Sequence, residues 1–259
     1  MTKGAPLGHL FFYAVPLLLG NWLQLAYNAV DSIIAGRFIG QEALAAEGVA
    51  GPVMNLVILA ISGLCIGAGV LMSEAFGAKK TERLKETLAT TLLFGALLCC
   101  GAAAAGCLLT PWILRATAVP DAIPDDIFAI TGIYLRITFL GAPFTFFYNA
   151  LAAGLKSVGD SKTPLKFLAF SAVLNAVLDF VLIGGLGFGI VCSAVTTVVA
   201  EAASAVMAAV YMACRVPELC PERGQWRIRR ALLGPILRYG SVTALQQAVQ
   251  PICKVLIQG

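Results

Sequence analysis

The chain has 259 residues, a net charge of +4, 12% charged residues and 59% apolar ones, and its mean hydropathy is +0.87. An ordinary soluble domain carries about 25% charged residues, so this composition excludes one. The positive charge is modest and confined to particular loops, which excludes a nucleic-acid-binding footprint.

Six long apolar segments follow one another at roughly 10–35, 48–74, 88–113, 126–151, 165–184 and 189–213, and a seventh starts near 232. Each is as long as the run of about 20 residues that crosses a bilayer. Lipid admits only helices or closed barrels, and the period-two alternation of a barrel is absent. The expectation is an all-α polytopic membrane protein, a six-helix transmembrane bundle with a partial seventh helix. The first segment is too long for a signal-peptide core and ends in no cleavage-like site, so it reads as a retained span. The eight cysteines (Cys65, Cys99, Cys100, Cys107, Cys192, Cys214, Cys220 and Cys253) lack metal-ligand spacing and read as small buried hydrophobes. The single histidine, His9, reads as a solvated edge residue.

Loop charge sets an orientation. GAKKTERLKE after the second segment carries Lys79, Lys80, Arg83 and Lys85. LKSVGDSKTPLK after the fourth carries Lys156, Lys162 and Lys166, and the stretch after the sixth carries Arg215, Arg223, Arg227, Arg229 and Arg230. The opposite loops hold only Arg37 and Arg115. The positive-inside rule then places the N-terminus and these three loops in the cytoplasm, in a plasma (inner) membrane protein. In the third-to-fourth loop, RATAVPDAIPDD, Asp125 and Asp126 are expected to open the fourth helix, where carboxylates favour the helix dipole. The expected organisation is a lobe over 1–215, a cytoplasmic linker over 216–231 and the start of a seventh helix over 232–259.

Ionisable residues inside the apolar segments are expensive and mark function. In the first segment Gln24, Tyr27, Asn28 and Asp31 share one helical face. In the fifth, Asn175 and Asp179 are four apart; in the sixth, Thr197 lies as far from the GGLGFG hairpin as Asp179 does, about 13 Å at 1.5 Å per residue. Counting from the outer helix ends places Asp31, Asn175, Asp179 and Thr197 at one depth. Two carboxylates close together in low dielectric do not both ionise cheaply, so the group suits a proton or a hard monovalent cation. The blander reading is a satisfied hydrogen-bond network between helices. Glu201, one turn beyond Thr197 on the same face, is a candidate extension of this group, and Arg136, in mid-span, needs an unidentified partner. Tyr148 and Asn149 face the cavity or satisfy neighbours; Glu74 reads as solvated. The helix-embedded Pro16 and Pro143 and the many glycines fit close-packed, bent membrane helices.

The stretches YNAVDSIIAGRFIGQEALAAEGVAGP, LMSEAFGAKK, ALAAGLKSVGDSKTPLK and LNAVLDFVLIGGLGFGIVCSAVTTVVAE resemble, in order, the first-helix, second-helix, fourth-to-fifth-loop and fifth-to-sixth-helix signatures of the multidrug and toxic compound extrusion (MATE) transporters. Lys156 stands where that family commonly has arginine. The resemblance implies a twelve-helix pump of two six-helix lobes, exchanging drugs or organic cations for H+ or Na+ by alternating access. It implies cation coupling at Asp31, Asn175, Asp179 and Thr197, and a substrate pocket lined by Gln24, Tyr27, Asn28 and Asn149. Only the N-terminal lobe is present by this reading, so a truncated reading frame is expected, or else a C-lobe or second copy is needed for transport. The alternatives are a lipid-linked saccharide flippase of the same superfamily, which would need cationic cavity residues, and a non-transporting membrane remnant. No nucleophile–base pair, metal spacing or phosphate loop points to an enzyme, and no cofactor beyond the coupling ion is expected.

Overall fold

A computed structural model describes residues 6–117 and 125–258. Among them are seven helices: α1 (Pro6–Phe38), α2 (Gln41–Gly77), α3 (Thr81–Thr117), α4 (Asp125–Ser157), α5 (Lys162–Asp179), α6 (Ile190–Arg215) and α7 (Arg230–Gln258). No strand occurs among the described residues. Five helices, α2 to α6, are long and apolar enough to cross a bilayer, and α1 runs for 33 residues. This is a multi-pass helical membrane protein. α1 to α4 run past their apolar segments at both ends, whereas α5 stops at Asp179 and α6 starts at Ile190. Pro16, Pro52, Pro111 and Pro143 all lie inside helices. The side chain of His9 and loop residues 118–124 lie outside the described residues.

One departure from the sequence expectation matters. The fifth segment does not run as an α-helix to the hairpin: directly after Asp179 the chain widens into a π-helical turn, Phe180–Gly185. The Leu186 amide donates to the Val181 carbonyl at 3.1 Å, five residues back. Such turns are rare and concentrate at functional sites.

α4 is central, packed against α2, α3 and α6, while α5 joins α1 to α6 and α7 lies along α2. The two ends of the bundle differ. The linker end, where the α2–α3, α4–α5 and α6–α7 connections lie, holds a continuous apolar core built from Met72, Leu84, Leu88, Phe146, Leu155, Leu219 and Ile236. Burying one such side chain stabilises by about 1.5–3 kcal/mol. Linker residues 216–229 fold back on α3: Lys85 pairs with Glu222 at 2.9 Å, Arg229 pairs with Glu86, and the Gln225 amide donates to Glu82. α7 docks through glycine. A Cβ on Gly63 would lie 2.8 Å from the Gly240 carbonyl oxygen, and one on Gly240 would lie 2.8 Å from that of Gly63. This is the close approach that small residues permit in membrane helices.

The cysteines are not all interior. Cys65 and Cys99 are buried, but Cys100 and Cys214 are exposed. Arg136 is exposed on α4 and lines none of the cavities described below.

Candidate functional site

At the hairpin end, the faces of α1, α5 and α6 meet around polar side chains. Asn175, Asp179, Ser193 and Thr196 are all buried. The four-residue spacing of Asn175 and Asp179 turns both toward α6, where Ser193, Thr196 and Thr197 occupy the facing side. The Thr196 hydroxyl donates to Asp179 Oδ1. Asn175 Nδ2 donates to Thr197 Oγ1 at 3.3 Å and to Thr196 Oγ1 at 3.4 Å. From α1, Asp31 Oδ1 accepts from the Ser193 hydroxyl at 3.2 Å, and the Tyr27 hydroxyl reaches Thr197 Oγ1 at 3.5 Å.

The carboxyls of Asp31 and Asp179 face one another as direct neighbours. Asp179 Oδ2 is buried and receives no hydrogen bond from a described donor. Two neighbouring carboxylates are both acceptors, and a proton or a cation between them would reconcile the pair. The donor set consists of carboxylate, amide and hydroxyl oxygens. These are hard ligands, suited to a proton or a monovalent cation of the sodium type rather than a soft transition metal. Among the described residues no group of three or more His, Cys, Asp or Glu could hold a metal ion.

Beside the cluster lies a cavity of about 200 Å³ between α1, α2, α4 and α6. Gln24, Tyr27, Asn28, Asp31 and Thr197 all line it, as do Thr145 and Glu201. Asn149 does not. It lines a separate opening of about 840 Å³ nearer the linker end, together with Tyr13, Asn21 and Lys156, and its amide donates to the Thr145 carbonyl at 2.8 Å. Tyr148 instead donates its hydroxyl to the Pro164 carbonyl at 2.8 Å.

Three participants escaped the sequence reading. Ser193 and Thr196 contact the two aspartates; Ser193 could have been found, since Ser193, Thr197 and Glu201 repeat every four residues. Glu47, on α2, accepts from Ser32 at 3.3 Å through Oε2, and its Oε1 is buried without a described donor. Nothing local in EALAAEGVAGP distinguishes it from a loop-edge glutamate.

A many-helix membrane bundle with acids buried beside an internal cavity defines a class of multi-pass membrane protein. The MatE family profile matches residues 16–181, and the chain belongs to that family. It is 33% identical over 252 residues to the probable multidrug resistance protein YoeA of Bacillus subtilis (strain 168), covering 95% of this chain and 54% of that one. It is 30% identical over 250 residues to the probable multidrug resistance protein YpnP of the same organism, covering 96% and 54%. Among solved structures, a MATE crystal structure in complex with MaD3S superposes with a TM-score of 0.89 at 24% identity, over 98% of this chain and 56% of that one. At that identity the likeness speaks to the fold alone. The chain spans about half the length of the curated relatives it matches.

Proposed function

We propose that this chain is one six-helix lobe of an exporter that moves drugs or organic cations out of the cell in exchange for H+ or Na+. The observation that carries this reading is the buried Asp179 Oδ2, without a described donor, on a carboxyl that neighbours Asp31. Such an atom asks for an exchangeable proton or cation, and two helix bundles moving against each other can alternately wet and dry it. Asp31, Asn175, Asp179 and Thr197 form the coupling site; Gln24, Tyr27 and Asn28 line the cargo cavity, and Asn149 lines the path toward the linker end. The names of the two Bacillus relatives, both probable multidrug resistance proteins, favour drugs as cargo. The cationic loops favour a cytoplasmic N-terminus and linker. A second lobe, in the same polypeptide or supplied by another copy, completes the pump.

The test is accumulation of ethidium in an efflux-deficient bacterium. The chain alone and the chain fused to a second six-helix lobe are compared, each with and without Asp179→Asn. Efflux from either form that Asp179→Asn abolishes supports the reading. Ethidium retention equal to that of empty cells in all four strains overturns it, as does efflux indifferent to Asp179.

A further inference from the structure

Glu201 plays no part in the coupling cluster, yet it lies inside the bundle and lines the cavity. It is close to the middle of α6, eleven residues after Ile190 and fourteen before Arg215. That sets it one helical turn, about 6 Å, deeper than Thr197. Its Oε2 accepts from the Thr145 hydroxyl of α4. Among the described residues the ion pairs are Lys85–Glu222 and Arg229–Glu86, both at the linker end, so no basic side chain neutralises Glu201. A carboxylate at this depth is expensive unless something answers its charge.

The surroundings suit a cation that brings its own apolar coat. Tyr27 from α1 and Tyr134 from α4 offer aromatic rings, and α2 contributes only Met54, Val57, Ile58 and Ile61. The other titratable groups near this face are Tyr27 and Asp31 of α1, Glu47 of α2, Tyr134 of α4 and Asp179 of α5. None of them carries positive charge. An organic cation can lie against aromatic faces while its charge meets a carboxylate; a hydrated inorganic ion gains little from such walls.

Thr145 adds a second argument. Its single hydroxyl proton has two acceptors in reach, Glu201 Oε2 and the Gly141 carbonyl at 3.4 Å. When Glu201 is charged the hydroxyl turns to it. When Glu201 holds a proton, the carboxyl donates to Thr145, and the hydroxyl turns to Gly141. Thr196 is built the same way, between Asp179 Oδ1 and the Ser193 carbonyl at 2.8 Å. Each acid can therefore change its charge without stranding a donor.

We propose that Glu201, seated on Thr145, is the group that receives the cationic centre of the cargo, one turn deeper than the aspartate pair and apart from it. The assignment rests on the export reading for the word cargo, but its test reads binding and needs no transport. The purified chain in lipid nanodiscs is titrated with radiolabelled tetraethylammonium. Glu201→Gln weakens binding by about tenfold or more, the loss expected for removing one side of a desolvated charge pair. Glu201→Asp, which keeps the charge, stays within about threefold of the unaltered chain, and Glu74→Gln, an exposed carboxylate on α2, changes nothing. In the unaltered chain, tetraethylammonium shields Glu201 from dicyclohexylcarbodiimide, as mapped by peptide mass spectrometry. The proposal fails if Glu201→Gln binds as the unaltered chain does, if Glu201→Asp falls as far as Glu201→Gln, if the unaltered chain shows no saturable binding, or if no shielding is seen. Loss of ethidium efflux with this binding intact would fault the export reading and leave Glu201 in place.

Discussion

The two ends of the bundle both bury hydroxyls, and they treat them in opposite ways. At the linker end Thr87 donates to the Arg83 carbonyl and Thr91 to the Thr87 carbonyl, each at 2.7 Å. Thr90 donates to the Arg227 carbonyl at 3.3 Å and accepts from the Arg229 amide. Each is satisfied by backbone, and around them lies an apolar core in which Phe146, Leu88 and Met72 are fully buried. At the hairpin end Thr196, Asn175, Ser193, Asp31 and Asp179 depend on one another, and one carboxylate oxygen is left over. Backbone partners give a fixed answer; side-chain partners that share too few protons leave the answer to whatever ion or proton is at hand. One end is held by backbone partners, the other by side chains that leave an acceptor over.

Substitutions should break the two ends differently. Phe146→Ala, in the linker-end core, should cost about 3–5 kcal/mol, read as a fall in the thermal midpoint of the detergent-solubilised chain. Gln225→Ala strips Glu82 of a donor and frees the Glu222 amide; a loss of about 1–3 kcal/mol is expected, with faster proteolysis of the linker. Thr197→Ala removes only the longer bonds to Asn175 and Tyr27, and should cost about 0.5–1.5 kcal/mol in the same melt. Asp179→Asn should leave stability level or raised, within about 1 kcal/mol, because it replaces a desolvated carboxylate, one of whose oxygens has no described donor, with a neutral amide. That variant should nonetheless abolish ethidium efflux. A large stability loss from Asp179→Asn would mean that the hairpin end is as structural as the linker end, and the contrast would collapse.

Much of this contrast is legible in the sequence, and the missing part has a physical reason. Helical periodicity and a rise of 1.5 Å per residue give depth, which is why Asp31, Asn175, Asp179 and Thr197 can be set at one level by counting. Depth says nothing of rotation between neighbouring helices. The residue that contacts Asp179 directly is Thr196, with Thr197 turned to Asn175 and Tyr27, and a rotation of 100° on α6 separates those outcomes. Asn149 shows the same limit along the other axis: it is polar and in-span, but it opens onto the cavity nearer the linker end. Glu47 was missed because its importance comes wholly from Ser32 on another helix. Apolar side chains such as Trp22, Leu108 and Trp112 are strongly exposed, and the abundance of such residues made the spans the easiest feature to read.

The π-helical turn after Asp179 gives α5 two personalities in one rod. A widened turn absorbs an extra residue, so the faces before and after it fall out of phase. Up to Asp179, the helix keeps its polar stripe, with Asn175 in line. Beyond it Phe180 swings to meet Phe38 edge-on, ring centroids 6.2 Å apart and planes at 84°, and Gly184 comes up under the same ring. The polar stripe ends and an aromatic contact begins within a single residue step, so one helix carries the buried acid on one side of the widened turn and an exposed ring pair on the other.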